Sequence, residues 1–438
     1  MYGKTGIPPS ISYKYPTNRD LPLKNSWLWL EGRREDENAE GLWRIYDNLY
    51  DFTNFIRHHP GGQDWLLWTQ GLDITEAFEC HHITLKPDAL LPKYFVRKAK
   101  NPRNFKLTLD ENGFYKTLKR KVREKLPTLD KKRESVSKRI LDILLVITYL
   151  LAIASARANS YLIGIGAGLF LTWTVISAHN FFHQRDNWRM KVWNLSLFSY
   201  REWRVSHALS HHIYTNTLHD LEVSYFEPFF NWIPSPNIKS RLGSFVSMII
   251  APIVYGTAFF WEFFKRLYVT LTTKQQLFHW EEIVIPFSIP CIMLLFGNLQ
   301  PAEVLKLWLF IVWVGSLSFG TIGLNAAHHH PEIFHEGDAL NPKLDWGIFQ
   351  LDAVMDRVEI QGILLTLTHF GDHALHHLFP TIDHVHLPEL QPLLLETCKE
   401  FEAVCRDCRW WDLIKGQFEQ LRRTEVNTVP VSLRKKII

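Results

Sequence analysis

Two long apolar stretches, separated only by residues 157–160, limit what this sequence can fold into. Residues 140–156 are apolar apart from Asp142, and residues 161–178 carry no charge. Each run is close to the shortest length at which a helix crosses a bilayer. Because only residues 157–160 separate them, we expect a tight antiparallel hairpin of two membrane spans.

Basic residues indicate which side of the membrane the ends of this hairpin face. The sequence KKRESVSKR (131–139) precedes the first run, and Arg185, Arg189 and Lys191 follow the second. Cytoplasmic loops are enriched in Lys and Arg, so we expect both flanks to be cytoplasmic.

Three further apolar stretches lie in the second half of the chain. The stretch at 243–261 has basic residues on both sides, which favours an interfacial or re-entrant segment. The other two are joined by a short loop and predict a second hairpin. We therefore predict an all-α, four-span membrane domain over residues 140–384, with every histidine-rich segment cytoplasmic and spans near 140–156, 161–178, 283–299 and 305–324.

The remaining segments are more polar. Residues 1–25 lack the apolar core of a signal peptide, so we expect a cytosolic N-terminus. Residues 26–100 have the mixed pattern of a small α+β domain, and residues 101–139 are charged enough to predict a solvated linker. Residues 385–438 predict cytosolic helices and a tail that ends in KKII, which resembles a dilysine retrieval signal for the endoplasmic reticulum.

Charge and cysteine content exclude some classes of protein. The chain has 49 basic and 45 acidic residues, a balance that does not require a nucleic-acid partner. Its five cysteines are too few and too scattered for a disulfide framework.

The segment His59-Pro60-Gly61-Gly62 is typical of a loop that closes around a flat cofactor. Glycines without side chains let the backbone turn tightly beside a porphyrin ring. A haem held between two imidazoles needs two histidines presented from opposite walls. His59 is one candidate axial ligand, and the second is His81 or His82 in GLDITEAFECHHIT.

Histidine is unusually frequent, with 21 residues, most of them after residue 178. On a helix, residues three or four apart share a face. We therefore expect His207 and His211 to face one metal, and His212, turned by about 100°, to reach a second. Two irons suit this many imidazoles better than one tetrahedral zinc. The three clusters are HNFFH (His179, His183), HALSHH (His207, His211, His212) and HALHH (His373, His376, His377).

The first domain resembles cytochrome b5. WRIYDNLYDFTNFIRHHPGG (43–62) is similar to the haem-binding core of that family, and the D-x-T-x-x-F element at 73–78 matches as well. In cytochrome b5-fused desaturases the second ligand follows that Phe by four positions. The resemblance therefore implies a b-type haem (heme b) with His59 and His82 as axial ligands.

The histidine clusters resemble the boxes of the membrane fatty-acid desaturase and hydroxylase superfamily: HX3H, HX3HH and HX2HH, in order, on four spans. HHIYTNTLHDLEV (211–223) and HHLFP (376–380) resemble the contexts of the second and third boxes in fatty-acyl desaturases. Many front-end members carry Gln where this chain has His373.

The family also has an Asn-x-x-x-His element after the last span. Asn325 and His329 match it, with His328 and His330 as neighbours that could replace His329. Asn325 would hold a water. The resemblance implies as di-iron ligands His179, His183, His207, His211, His212, His329, His373, His376 and His377.

The resemblance implies O2-dependent desaturation of a lipid acyl chain, with electrons passing from the haem to two non-haem irons. No Gly-rich dinucleotide motif is present in the sequence, so NADH would act through a separate cytochrome b5 reductase. Two alternatives remain open: fatty-acyl or sphingolipid hydroxylation on the same scaffold, and a haem electron carrier with an inactive di-iron domain. The expected location is the endoplasmic reticulum membrane, multi-pass, with both termini cytosolic.

Overall fold

The structure is a computed structural model that describes residues 3–272, 278–323 and 327–434. The first domain contains α1 (Ser26–Glu37), β1 (Trp43–Ile45), β2 (Asn48–Tyr50), α2 (Gln63–Thr69), α3 (Thr75–His81), α4 (Lys86–Tyr94) and β3 (Phe95–Lys98). Next come α5 (Phe114–Lys125), α6 (Glu134–Ala158), α7 (Tyr161–Phe182), α8 (Tyr200–Trp203), α9 (His212–Tyr214), α10 (Leu221–Ser224), α11 (Arg241–Thr272), α12 (Glu281–Phe296) and α13 (Pro301–Gly323). The chain continues with α14 (Trp346–Asp352), β4 (Asp356–Arg357), α15 (Ile363–Thr368), α16 (His373–Leu378), α17 (Leu387–Phe401), β5 (Asp407–Cys408) and α18 (Trp410–Arg422).

The first domain is built on a small antiparallel sheet in the order β1-β2-β3. Trp43 of β1 lies opposite Tyr50 of β2, and Tyr50 lies opposite Phe95 of β3. The Trp43 side chain is fully buried, and its indole N–H donates to the carbonyl of Leu66 at 3.1 Å. This buried indole ties the sheet to α2, which follows the loop that carries His59.

Residues 101–139 differ from the solvated linker that their charge predicted. They contain α5, which buries Phe114, Leu118 and Val122 completely. These apolar residues recur at helical spacing, so one face packs while the charged residues face outward. Lys119, also buried, pairs with Glu79 of α3 at 2.5 Å. The segment therefore joins the two domains instead of separating them.

The N-terminal segment is an ordered strap along the second domain. Ile11 is fully buried, and the Ser10 amide donates to Glu336 at 2.6 Å. Arg19 pairs with Glu227 at 2.7 Å, with both side chains largely shielded from solvent. The polar residues of the 1–25 segment make these specific contacts, and no periodic pattern in the sequence predicts them.

Long apolar helices form the core of the second domain. α6 and α7 pack as an antiparallel pair, joined where Asn159 adopts a left-handed φ of 44° and Ser160 caps Ile163 at 3.3 Å. Among the described residues, four helical stretches are long and apolar enough to cross a membrane, by length and composition alone: Lys131–Ala158, Tyr161–Phe182, Arg241–Thr272 and Pro301–Gly323.

This set differs from the predicted spans in one member. It includes α11, whose central part was predicted to be interfacial, and omits α12, which was predicted to cross. The reason is length, because the 16 residues of α12 extend about 24 Å, short of a hydrocarbon core about 30 Å thick.

The contacts of α11 and α12 favour the opposite assignment. Near its start α11 contacts α18 through Ser244, and near its end Arg266 pairs with Glu202 of α8 at 3.4 Å. α12 instead ends at Phe296, whose carbonyl accepts from Arg157 at 2.8 Å, beside the turn between α6 and α7. These contacts bring the end of α12 beside the turn between α6 and α7, and residues near both described ends of α11 beside α18 and α8.

Candidate metal centre

A cavity of about 540 Å³ lies between the loop that carries His59 and the end of α3. The rings of His59 and His82 face each other across it, with centroids 6.1 Å apart. Two imidazoles that bind one metal through bonds of about 2.0–2.1 Å have centroids roughly 6 Å apart. The pair therefore fits bis-histidine ligation of a haem.

Backbone carbonyls fix the orientation of both rings. Nδ1 of His59 lies 2.8 Å from the carbonyl of Gly62, and Nδ1 of His82 lies 3.0 Å from that of Phe78. A protonated Nδ1 donates to the carbonyl and leaves the Nε2 lone pair free for a metal. Burial lowers the pKa of His82 to about 3, so this ring is neutral near pH 7, the form that binds metals.

His81 takes a different position from its neighbour. Its Nδ1 lies 2.8 Å from the carbonyl of Ala77, and its ring packs on Trp65 with centroids 5.5 Å apart. His81 also lines the cavity, and its Nε2 is buried with no hydrogen-bond partner among the described residues. The ring that faces His59 is His82, the residue that the family spacing implied.

Histidines from the three boxes converge in a buried cluster, here called the first group. The Nε2 atoms of His179 and His207 are 2.8 Å apart, and those of His179 and His183 are 3.0 Å apart. Two nitrogens that bind one ion at about 2.1 Å and at right angles are roughly 3.0 Å apart, so the spacing fits a metal. The first group consists of His179, His183, His207, His212 and His376, with ring nitrogens within 4.8 Å of one another.

A second group lies directly beside the first. It contains His211, His328 and His377, and Nε2 of His373 lies 2.7 Å from Nε2 of His328. Nε2 of His211 and of His377 is buried with no hydrogen-bond partner among the residues that the structure describes. Buried polar atoms are normally paired, and a metal ion would pair these. The His212 and His377 rings, one from each group, stack at 4.2 Å.

The second box divides between the groups differently from the sequence prediction. Residues Arg204–His211 form a π-helical stretch, in which residues five apart are brought together. His207 therefore meets His212, with Nε2 atoms 3.0 Å apart, and His211 turns to the second group. The expected separation of His212 from His207 was wrong in this respect. His211 stays close to His207, with ring centroids 5.3 Å apart, and the two also group with Glu222.

The structure places His328, and not His329, in the second group. The His329 ring instead stacks on Trp232, with centroids 3.7 Å apart and planes 6° apart. Ala327, directly before His328, has a left-handed φ of 89°, so the backbone is not helical at this residue. The selection of His329 over its neighbour is thereby corrected. Asn325, predicted to hold a water, lies outside the described residues.

Polar side chains behind the histidines orient their rings. Histidines that bind metals commonly donate from the second ring nitrogen to such a partner. Burial opposes the charged form of His211, but Glu222 and Asp220 outweigh it and raise its pKa to about 9. The Nδ1 contacts are His207 to Glu222 (2.7 Å), His211 to Asp220 (2.8 Å), His376 to Nε2 of His384 (3.0 Å) and His377 to Gln350 (3.2 Å).

The short helix that carries the third box is held by a neighbouring strand. A carboxylate oxygen of Asp356 accepts from the amides of His373 and Ala374, at 2.8 and 3.2 Å, and so caps the start of α16. Asp356 belongs to β4, which pairs in parallel with β5 near the C-terminus. As a result His376 points into the first group and His373 into the second, so this pair does not share a metal as its spacing suggested.

An apolar cavity of about 90 Å³ reaches both groups. His207, His211 and His373 line one side. Much of the remaining wall is aromatic, which suits a hydrocarbon chain better than a polar substrate. The aromatic residues of the wall include Phe198, Trp203, Phe226, Phe319 and Phe370.

Sequence reasoning missed the residues behind the rings. Asp220 and Glu222 stand in HHIYTNTLHDLEV, where two acids closely follow three histidines, and this was a readable signal. His384 follows the third box in HHLFPTIDH. Gln350 and Trp232 have no comparable pattern, since only folding brings them to the histidines.

Comparison with known proteins gives the same division of the chain. The family model described as "Cytochrome b5-like Heme/Steroid binding domain" matches residues 29–100, and that described as "Fatty acid desaturase" matches residues 159–409. The first implies haem and the second implies iron. No solved structure matches the chain.

Curated relatives match over nearly the whole length. The chain is 49% identical to "Cytochrome b5-related protein" of Drosophila melanogaster, over 95% of this chain and 96% of the relative. It is 25% identical to "Probable Delta(5) fatty acid desaturase C" of Dictyostelium discoideum (88% and 92% covered) and 24% identical to "Acyl-lipid (8-3)-desaturase" of Mortierella alpina (91% and 96% covered).

The resemblance inferred from the motifs is confirmed by these matches, which join an N-terminal haem-binding segment to a histidine-rich helical one. The chain belongs to the fatty acid desaturase family, as a member fused to an N-terminal cytochrome b5-like domain.

Proposed function

We propose that the protein is an O2-dependent fatty-acyl desaturase that uses electrons from its own haem domain. The observation that carries the proposal is the pair of histidine groups, buried side by side and open to one apolar cavity. In the overall reaction two adjacent CH2 groups lose one hydrogen each, and O2 with two electrons and two protons becomes two waters.

Nine histidines would hold the two irons. These are the members of the first group and, in the second, His211, His328, His373 and His377. When bound, the irons supply the O2 chemistry that removes hydrogen from an unactivated C–H bond. The protein contributes rings held by Glu222, Asp220, His384 and Gln350, together with an apolar cavity that keeps bulk water from the acyl chain.

The haem would be held by His59 and His82, which leave no open position on its iron and so favour electron transfer over O2 binding. NADH would supply the electrons through a separate cytochrome b5 reductase.

The membrane arrangement proposed here has four spans, α6, α7, α12 and α13, in the endoplasmic reticulum with both termini cytosolic. It is supported by α12, which reaches the turn between α6 and α7, and by the contacts of α11 with α18 and α8 near its two described ends. The KKII sequence lies outside the described residues.

Expression with a cytochrome b5 reductase, followed by metal analysis and mass spectrometry of cellular lipids, tests the proposal. About three irons per chain, one of them in haem, and a product lighter by two hydrogens support it. His376→Ala should abolish the product and leave the haem spectrum intact. A product heavier by one oxygen would assign hydroxylation instead, and a preparation with haem iron alone would assign an electron carrier.

A further inference from the structure

The haem cavity and the first histidine group share a wall. His183 and Leu209 of the second domain line the haem cavity together with Trp65 and His81 of the first domain. His183 is at the same time a member of the first group. One side chain thus borders the haem cavity on one side and the candidate iron site on the other.

His81 is the polar residue that the haem domain contributes to this wall next to an axial ligand. It directly precedes His82, and its Nε2 is buried with no hydrogen-bond partner among the described residues. His81 and His183 line the same cavity, one from each domain. A buried imidazole nitrogen without a hydrogen-bond partner costs free energy, so its presence in this wall calls for an explanation.

The two domains are fixed around this wall by specific contacts. The Asp186 amide donates to the carbonyl of Gly61 at 3.2 Å, directly behind the His59 loop. The guanidinium of Arg204 lies 4.7 Å from the Trp65 ring, and its Nε donates to the carbonyl of Phe182 at 2.8 Å. These contacts link the haem loop, the wall and the end of the first box.

We propose that electrons cross from the haem to the first histidine group through this wall while the domains stay docked, and that His81 is a positioning residue that sets the rate of this transfer. The inference rests on the proposed function. Each crossing oxidises one ferrous haem to ferric and reduces one ferric non-haem iron to ferrous, and the reductase re-reduces the haem.

The test is the reoxidation rate of the haem in the full-length protein. Haem reduced beforehand with dithionite is mixed with aerated buffer and an acyl lipid, and its visible spectrum is followed in single turnover. We expect His81→Leu to slow reoxidation about tenfold or more, with unchanged iron content and haem midpoint potential. His58→Leu, at an exposed position in the same domain, is the matched control and should reoxidise at the wild-type rate.

The variant His376→Ala, which should lack non-haem iron and keep its haem, supplies the background rate of direct haem oxidation. If the wild type is no faster than this background, the proposed function itself fails. If the wild type is faster and His81→Leu matches it, only the route through His81 is overturned.

Loss of haem from His81→Leu would direct the test to His81→Gln, which keeps a polar side chain. If both variants lose haem, His81 serves haem binding and the proposal is wrong. Fixed docking is tested by mixing His82→Ala chains, which should lack haem, with His376→Ala chains, which should keep haem and lack non-haem iron. We expect background rates in the mixture, and reoxidation at the wild-type rate would overturn docked transfer.

Discussion

The amide of Asp186 donates a hydrogen bond of 3.2 Å to the carbonyl of Gly61, and so joins the turn after the first histidine box to the loop that presents the haem ligand His59. The neighbouring Gly62 has a φ of 117°, a conformation that favours glycine. Its α-carbon lies against the Asp186 carboxylate, where an added Cβ would come within 2.4 Å of an oxygen. The glycine pair therefore serves the domain interface as well as the haem.

Gly62→Ala should loosen the haem loop and its contact with Asp186. We expect loss of haem occupancy, measured as the ratio of haem to protein absorbance. Gly41→Ala is the control, because Gly41 also has a positive φ (76°) but open space around it. Equal losses in both variants would assign the effect to backbone strain alone and contradict a role for the Asp186 contact.

Replacing His328 and replacing His329 should have different effects on the binding of non-haem iron. His328→Ala removes a ring that lies 2.7 Å from His373, so we expect loss of non-haem iron and of product. His329→Ala removes a ring that stacks on Trp232, and the iron should remain bound. The measurement is the amount of iron per chain after gel filtration. Loss of iron from His329→Ala but not from His328→Ala would support His329 as the ligand, as the Asn-x-x-x-His element implied.

Removing a partner behind a ring should weaken metal binding without affecting the haem. His384→Gln leaves Nδ1 of His376 with an altered partner, and we expect about 10–100-fold lower iron affinity or activity. His386→Gln, in the same turn, is the matched control. Iron retention during dialysis against a chelator measures the effect, and equal retention in the two variants would argue against orientation of His376 by His384.

Asp352 should make stability depend on pH. Burial raises its pKa to about 7, well above that of an unfolded Asp. The native state therefore holds this proton more tightly than the unfolded state, and stability falls as pH rises from about 4 to about 7. We expect Asp352→Asn to gain thermal stability relative to wild type between pH 5 and pH 8. Exposed Asp110→Asn is the control, and a constant difference for Asp352→Asn across this range would contradict the shift.

The assignment of α12 as a span makes a prediction about its first residues. In a background in which all five native cysteines are replaced by Ser, Trp280→Cys should react with an impermeant maleimide in sealed microsomes, because this end of α12 would face the cytosol. Asn298→Cys should react only after permeabilisation. If the thiol introduced by Trp280→Cys were instead protected until permeabilisation, α11 would be the third span.

The sequence by itself determined the two domains, the histidine boxes and the identity of the haem loop. These features are local, because a tight glycine turn and histidines at short spacing can be recognised within a segment of a few residues. The spacing of the first box also placed His179 and His183 in one group correctly, because α7 is regular there. The prediction of a solvated linker at 101–139 was wrong because it rested on the high charge of the segment. The apolar residues of α5, such as Leu118 and Val122, lie one helical turn apart and form a buried face.

Only the tertiary structure decided how the boxes divide between two sites. In the π-helical stretch His207 meets His212 while His211 joins the second group, and His328 takes the place expected for His329. The partners Gln350, His384 and Trp232 reach the histidines through long-range packing, which no short motif encodes. The wall that His81 and His183 both line depends on how two separate domains dock, and that relation exists only once both have folded against each other.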